Sequence, residues 1–301
     1  MHDSTKPYRG RFAPSPTGPL HFGSLVAAVG SYLDARWNKG RWLVRIEDLD
    51  RAREAPGAAD AILRALEGFG FEWDEETMFQ SRRNEAYHAA LSRLQDQKAI
   101  FPCTCTRREI SDSTLSPAGE AVYPGTCRMG ISPGRPPAMR VCASEGVIAF
   151  DDVVQGRIEQ NLAREVGDFV VRRADGQFAY QLAVVVDDFE QDITDVVRGA
   201  DLLASTPRQI LLQRLLDHPT PRYAHLPVAT NRNGEKLSKQ TLAAPLEINE
   251  AGVWIWRALH FLGQEPPVEL AAGSTPDIWS WALGNWCTAR IPRQRSIRDP
   301  S

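Results

Sequence analysis

The chain has no apolar run approaching the roughly 20 residues that a membrane-spanning helix needs. Its first ten residues carry charge without the apolar stretch of a secretory signal. A cytoplasmic location with no membrane contact is the expectation. Cysteine is scarce, five in 301 residues, and a reducing compartment would not sustain a disulfide framework built from them. Net charge is −3, which argues against a broad electrostatic grip on nucleic acid while leaving room for a local basic face. No repeat, no low-complexity segment and no obvious nucleophile–base pair stands out. What remains is 43% hydrophobic and 24% charged residues, the proportions of a globular enzyme, in a chain long enough for one large domain or two smaller ones.

The pattern along the chain alternates strand and helix. A short strand ends at Arg11–Phe12 and runs through a Pro/Gly loop into an apolar helix, 24–39. Trp42–Ile46 alternates like a strand and ends in the acidic run Glu47–Asp50; helices follow over 58–70 and 83–97. Such alternation predicts a parallel sheet with crossover helices. Between 101 and 150 the texture changes to cysteine, proline and glycine, as in an insertion held by something other than a core. Asp168–Arg173 and Phe178–Val186 read as two strands joined by the turn signal Asp175-Gly176. Helices are predicted over 206–216, 252–262 and 278–286, the last two rich in tryptophan.

Two segments carry phosphate chemistry. In Thr17–Ser24 (TGPLHFGS) a strand, a glycine-containing loop and a helix N-terminus follow in order, where backbone N–H groups hold an anion. His21 can donate to a phosphate oxygen there, and Gly23 lets a nucleotide approach the backbone. In Gly234–Lys239 (GEKLSK) Lys236 and Lys239 ride a polar loop, suited to clamp a developing pyrophosphate. Alone, each has a plainer reading, a capping histidine and solvated surface lysines.

Read with their neighbours, these segments resemble the glutamyl branch of the class I aminoacyl-tRNA synthetases. Arg11–Gly18 (RFAPSPTG) with Leu20–Gly23 is similar to that branch's first signature, and Lys236–Lys239 to its second. Arg45–Asp50, Gly70–Glu75, Gln80–Arg82 and Val197–Leu203 are similar as well, so the likeness runs over about 9–245 in the right order. Asp168–Gly176 and Tyr180–Asp188 resemble the mid-chain signature of a shortened paralogue in that branch. The resemblance implies a Rossmann-like α/β catalytic domain in two halves, 1–100 and 168–243, a zinc-bearing insertion over 101–167 and a short helical C-terminal subdomain over 244–301. It implies that ATP, with Mg²⁺, activates L-glutamate to an adenylate without tRNA. The glutamate then passes to the queuosine at the wobble position of tRNA(Asp). By position, Arg11, Ala13, Ser15, Glu47, Tyr180 and Arg198 would hold glutamate, with Glu47 on the α-ammonium and the arginines on carboxylates. His21, Gly23 and Lys239 would face ATP, and His21, Lys236 and Lys239 would serve the chemistry. Two positions depart from the pattern: Ser24 stands where the general class I signature has a second histidine, and Gln240 closes the second signature in place of serine. Ser24 is expected in a smaller role at the ribose.

Cys103, Cys105 and Cys127 are spaced as thiolate ligands of a structural zinc. The fourth ligand is open from spacing between Tyr123 and Cys142, and the resemblance favours Tyr123. Cys142 and Cys287 read as ordinary core residues, as do the C-terminal tryptophans. Arg290, Arg293, Arg295 and Arg298 read as a solvated, frayed basic tail rather than an RNA contact. The chain ends soon after Gln240, which this reading takes as too little for an anticodon-reading domain, and a monomer is expected. The alternatives are a glutamyl-tRNA synthetase charging tRNA(Glu), a small-molecule ligase of the same superfamily, and a zinc-stabilised RNA-binding paralogue that has lost catalysis.

Overall fold

The computed structural model describes residues 6–111, 115–116, 121–131, 133–143, 146–232, 234–237 and 246–298. In chain order the first half holds β1 (Arg9–Phe12), α1 (Phe22–Trp37), β2 (Arg41–Ile46), α2 (Ala58–Gly68), β3 (Met78–Phe79), α3 (Asn84–Asp96), β4 (Ile100–Cys103), α4 (Arg107–Ser111) and β5 (Ala138–Val141). The second holds β6 (Val147–Asp152), β7 (Gly156–Asn161), α5 (Leu162–Glu165), β8 (Phe169–Arg172), α6 (Tyr180–Glu190), β9 (Asp195–Gly199), α7 (Thr206–Leu215), β10 (Arg222–Leu226), β11 (Val228–Thr230), α8 (Ala251–Phe261), α9 (Thr275–Asn285) and β12 (Ser296–Arg298).

β1, β2 and β3 pair in parallel, as do β9, β10 and β6, with β7 antiparallel on the outer edge of β6. The two sheets meet where the Thr194 N–H donates to the Arg9 carbonyl at 3.0 Å, which sets β9 beside β1. Five of the six residues of β2 are buried, as an inner parallel strand covered on both faces requires. α1 is the first crossover. The His21 ring caps it, and most of its length is buried.

One core gathers β1, β2, α1, α2 and the C-terminal helices. It is centred on stacked and edge-on rings of Tyr32, Trp42, Phe71 and Trp279, where aromatic pairs add to simple area burial. The other lies among α3, α6, α7 and β8–β10. A third, small cluster joins Phe101, Cys103, Tyr123 and Cys127. β4, β5 and β8 form an antiparallel sheet beside it. The expected insertion is thus shared between two sheets, since β6 and β7 pair onto β10.

Two local expectations are corrected. Phe178–Val186 is not a strand: from Tyr180 it is α6, and the hairpin with β8 is reduced to the single bridge Arg172–Phe178. Leu182, Ala183, Val184, Val185 and Val186 are all buried, so this five-residue apolar run shows no 3.6-residue period. Nor is the basic tail frayed as far as Arg298. β12 pairs in parallel with β11, and Gln155 Nε2 donates to the Gln294 carbonyl at 3.1 Å. Trp279 and Trp286 are buried core, whereas Trp254, Trp256 and Trp281 are partly buried, and Cys142 and Cys287 are half-buried.

Candidate active site

A cavity of about 690 Å³ opens at the carboxyl ends of β1, β9 and β10, where open α/β sheets bind ligands. Arg11, Ala13, Ser15, His21, Gly23, Glu47, Tyr180, Arg198 and Lys236 all line it. Lys239 lies outside the described residues.

The nucleotide side is built on the N-terminus of α1. The Ser24 N–H donates to His21 Nδ1 at 3.3 Å, so the ring proton sits on Nε2, which meets Ser24 Oγ at 3.1 Å. The histidine therefore both caps the helix and presents an N–H donor. A Cβ on Gly23 would lie 3.2 Å from His21 Cε1 and 3.5 Å from the Leu237 carbonyl. The two signature segments thus face each other across that glycine. Lys236 reaches Asp201 at 2.5 Å.

The opposite side is a buried charge network. Arg11 forks onto Asp188 at 3.1 and 3.4 Å. Arg45, fully buried, meets Asp188 at 2.8 Å, Gln191 Oε1 at 2.8 Å and Glu47 at 3.5 Å. Burial pushes the Glu47 carboxyl up to about 7, against Arg45 and Arg11, which pull it down. Burial also raises Asp188, but Arg11 and Arg45 outweigh it and hold that carboxylate below its ordinary range. Asp187, the preceding residue of α6, turns the other way and accepts from Gln80, Tyr87 and Arg83 at 2.7, 2.8 and 3.1 Å. α6 is thereby anchored on both flanks.

Arg198 stands on β9. Its Nε donates to His225 Nε2 at 3.0 Å, its Nη2 to Thr206 Oγ1 at 2.8 Å and its Nη1 to the Tyr180 hydroxyl at 3.4 Å. Asp188, Arg45, His225 and Asp152 were not singled out from sequence. The charged runs Arg45–Asp50 and Asp187-Asp188 flagged the first two; nothing local flagged the others.

The thiols of Cys103, Cys105 and Cys127 lie within 4.8 Å of one another. The Tyr123 hydroxyl is 3.3 Å from Cys103 Sγ and 3.9 Å from Cys105 Sγ, so three thiols and a phenol converge as a tetrahedral ion demands. Gly167, at φ +72°, lets Tyr123 approach: a Cβ there would lie 2.5 Å from the Tyr123 carbonyl. Cys142 packs at the margin of the cluster, and burial and then Asp168 raise its thiol.

The family description "tRNA synthetases class I (E and Q), catalytic domain" matches residues 8–254. The fold agrees: a glutamate-tRNA synthetase from Elizabethkingia anophelis superposes with a TM-score of 0.81 at 24% identity, covering 97% of this chain and 68% of that one. The chain therefore carries a class I synthetase catalytic domain of the E and Q kind. A glutamyl-Q tRNA(Asp) synthetase from Aromatoleum aromaticum is 57% identical over 300 residues, 100% of this chain and 95% of the relative. One from Dechloromonas aromatica is 59% identical over 298 residues, 98% and 99% of the two. The chain belongs to the glutamyl-Q tRNA(Asp) synthetase family.

Proposed function

We propose that the protein activates L-glutamate with ATP, without tRNA, and transfers the glutamyl group from its adenylate to the queuosine at the wobble position of tRNA(Asp), the acyl–phosphate bond breaking and AMP leaving. The observation that carries this reading is a cavity that joins cations and an acid suited to a dicarboxylic amino acid with a helix N-terminus and a histidine suited to phosphate. A glutamate α-carboxylate oxygen attacks the α-phosphorus of ATP. The bond from that phosphorus to the pyrophosphate oxygen breaks, and pyrophosphate leaves. Glu47 as carboxylate accepts from the substrate ammonium, and Arg11 and Arg198 supply the cationic wall. Ala13 and Ser15 shape the pocket and Tyr180 closes it. His21 Nε2–H and the backbone at Gly23 meet the phosphates; Lys236 and Lys239 neutralise charge as pyrophosphate departs. Mg²⁺ accompanying ATP neutralises the triphosphate.

Cys103, Cys105, Cys127 and Tyr123 would hold a structural zinc, whose closed ligand set leaves no position for chemistry. In this reading 1–100 and 168–243 supply the catalytic halves and 244–301 the C-terminal subdomain; of the expected insertion 101–167, the stretch with β4 and β5 carries the zinc cluster, while β6 and β7 join the sheet of β9 and β10. The protein acts as a cytoplasmic monomer, where thiols stay reduced and tRNA is at hand. The test uses radiolabelled glutamate and ATP, with tRNA(Asp) carrying or lacking queuosine and, separately, tRNA(Glu). Label is retained on queuosine-bearing tRNA(Asp) alone; transfer to tRNA(Glu) would overturn the acceptor, and absence of adenylate would overturn the activity.

A further inference from the structure

Arg198, His225 and Asp152 form a row across three neighbouring strands. In the parallel register His225 on β10 lies opposite Arg198 on β9, and Asp152 ends β6 on the far side of β10. All three are buried, His225 completely. Asp152 Oδ1 accepts from the backbone N–H groups of Val154, Gln155 and His225 at 3.0, 2.8 and 3.1 Å. Its Oδ2 lies 2.6 Å from His225 Nδ1. A carboxylate so placed draws the ring proton to Nδ1 and leaves a lone pair on Nε2, facing the Arg198 Nε–H. An imidazolium would set two N–H donors against each other at that contact.

Among the described residues no carboxylate pairs with Arg198, whereas Arg11 is taken by Asp188, Arg45 by Asp188 and Glu47, and Lys236 by Asp201. We propose that His225, set by Asp152, is a positioning residue: it aims the Arg198 guanidinium into the cavity through a neutral acceptor and leaves its charge for a substrate carboxylate. The inference rests on the glutamate reading and extends it. An aspartate in direct contact would hold the arginine equally well but would neutralise it. The imidazole passes on orientation alone, with the buried carboxylate one residue further back.

ATP–pyrophosphate exchange driven by glutamate tests this in the full chain. In Asp152→Asn the side-chain amide donates to Nδ1, the proton moves to Nε2 and Arg198 is turned away. His225→Leu removes the acceptor outright. Both raise the glutamate KM by at least about tenfold, the loss that goes with a hydrogen bond to a charged group, and leave the ATP KM unchanged. His225→Gln, whose Oε1 can stand in for Nε2, stays near wild type. The idea is overturned if glutamate and ATP KM move together, if neither moves, or if His225→Gln fails as His225→Leu does. Independently of how the variants fold, long-range ¹H–¹⁵N correlation of the wild-type imidazoles should show His225 protonated at Nδ1 near neutral pH; an Nε2–H tautomer overturns it. Wild-type protein that exchanges with ATP but not in response to glutamate would sink the glutamate reading and this inference with it, whereas normal wild-type exchange with unmoved variants sinks only this one.

Discussion

Arg45 Nη1 and Asp188 Oδ1 stand 2.8 Å apart behind the Arg11 guanidinium, and neither residue lines the cavity they brace. That wall of the cavity therefore rests on a charge pair lying outside its lining. Asp188→Asn leaves two buried guanidinium groups short of their main counter-charge, a loss of about 3–5 kcal/mol for a broken buried pair. Urea denaturation should show the midpoint fall accordingly. Because the folded-state pKa of Asp188 is depressed, its contribution is present above the ordinary aspartate range and is lost as pH falls through the lowered value. The variant should lack that acid limb.

Glu47 sets a pH dependence of the opposite sign. Its carboxyl is raised to about 7 by burial, so in the empty site it is protonated below that value and gains a charge above it. Folded protein alone is favoured at low pH by this group and loses the advantage as pH rises through about 7. A substrate ammonium needs the carboxylate, so the thermal shift given by glutamate should be larger at pH 8 than at pH 6. Glu47→Gln should flatten that difference and raise the glutamate KM.

The nucleotide side should respond separately. His21→Ala removes the Nε2–H donor and should lower kcat for pyrophosphate exchange roughly a hundredfold or more, the scale for one donor aimed at developing charge. Gly23→Ala crowds the His21 ring, with a Cβ 3.2 Å from Cε1 and 3.3 Å from Nδ1. It should raise the ATP KM while the glutamate KM stays put, as steady-state kinetics would show.

Metal analysis should find one zinc per chain in protein purified without chelator. Cys127→Ser should abolish it and lower the melting temperature, because ligand and folding free energies are linked. Cys142→Ser should keep the zinc. The Cys127 thiol is lowered by its hydrogen bonds, from Tyr123 and the Thr104 backbone foremost, in spite of burial, which favours the thiolate a metal takes.

What could be read from sequence was whatever is local. The loop from Arg11 to Ser24 announces a strand, a turn and a helix in adjacent residues, and the cavity does gather Arg11, His21, Glu47, Tyr180 and Arg198. α6 was missed because its five-residue apolar run, buried throughout, offers no polar position to mark a period. The supports were missed for a different reason. Asp152 and His225 are 73 residues apart, and only the return of β10 beside β6 makes them partners. β12 was missed because three residues, Ser296-Ile297-Arg298, carry no period of their own and become a strand only where β11 awaits them.

Chain growth on the ribosome gives that arrangement a temporal meaning. A nascent polypeptide that has emerged through β9 already contains Arg11, His21, Glu47, Tyr180 and Arg198. It still lacks β10, the strand that sets His225 against Arg198 and links β6 to β9. The cavity is thus completed late in biosynthesis, and an incomplete chain carries these side chains without the strand that closes the sheet behind Arg198.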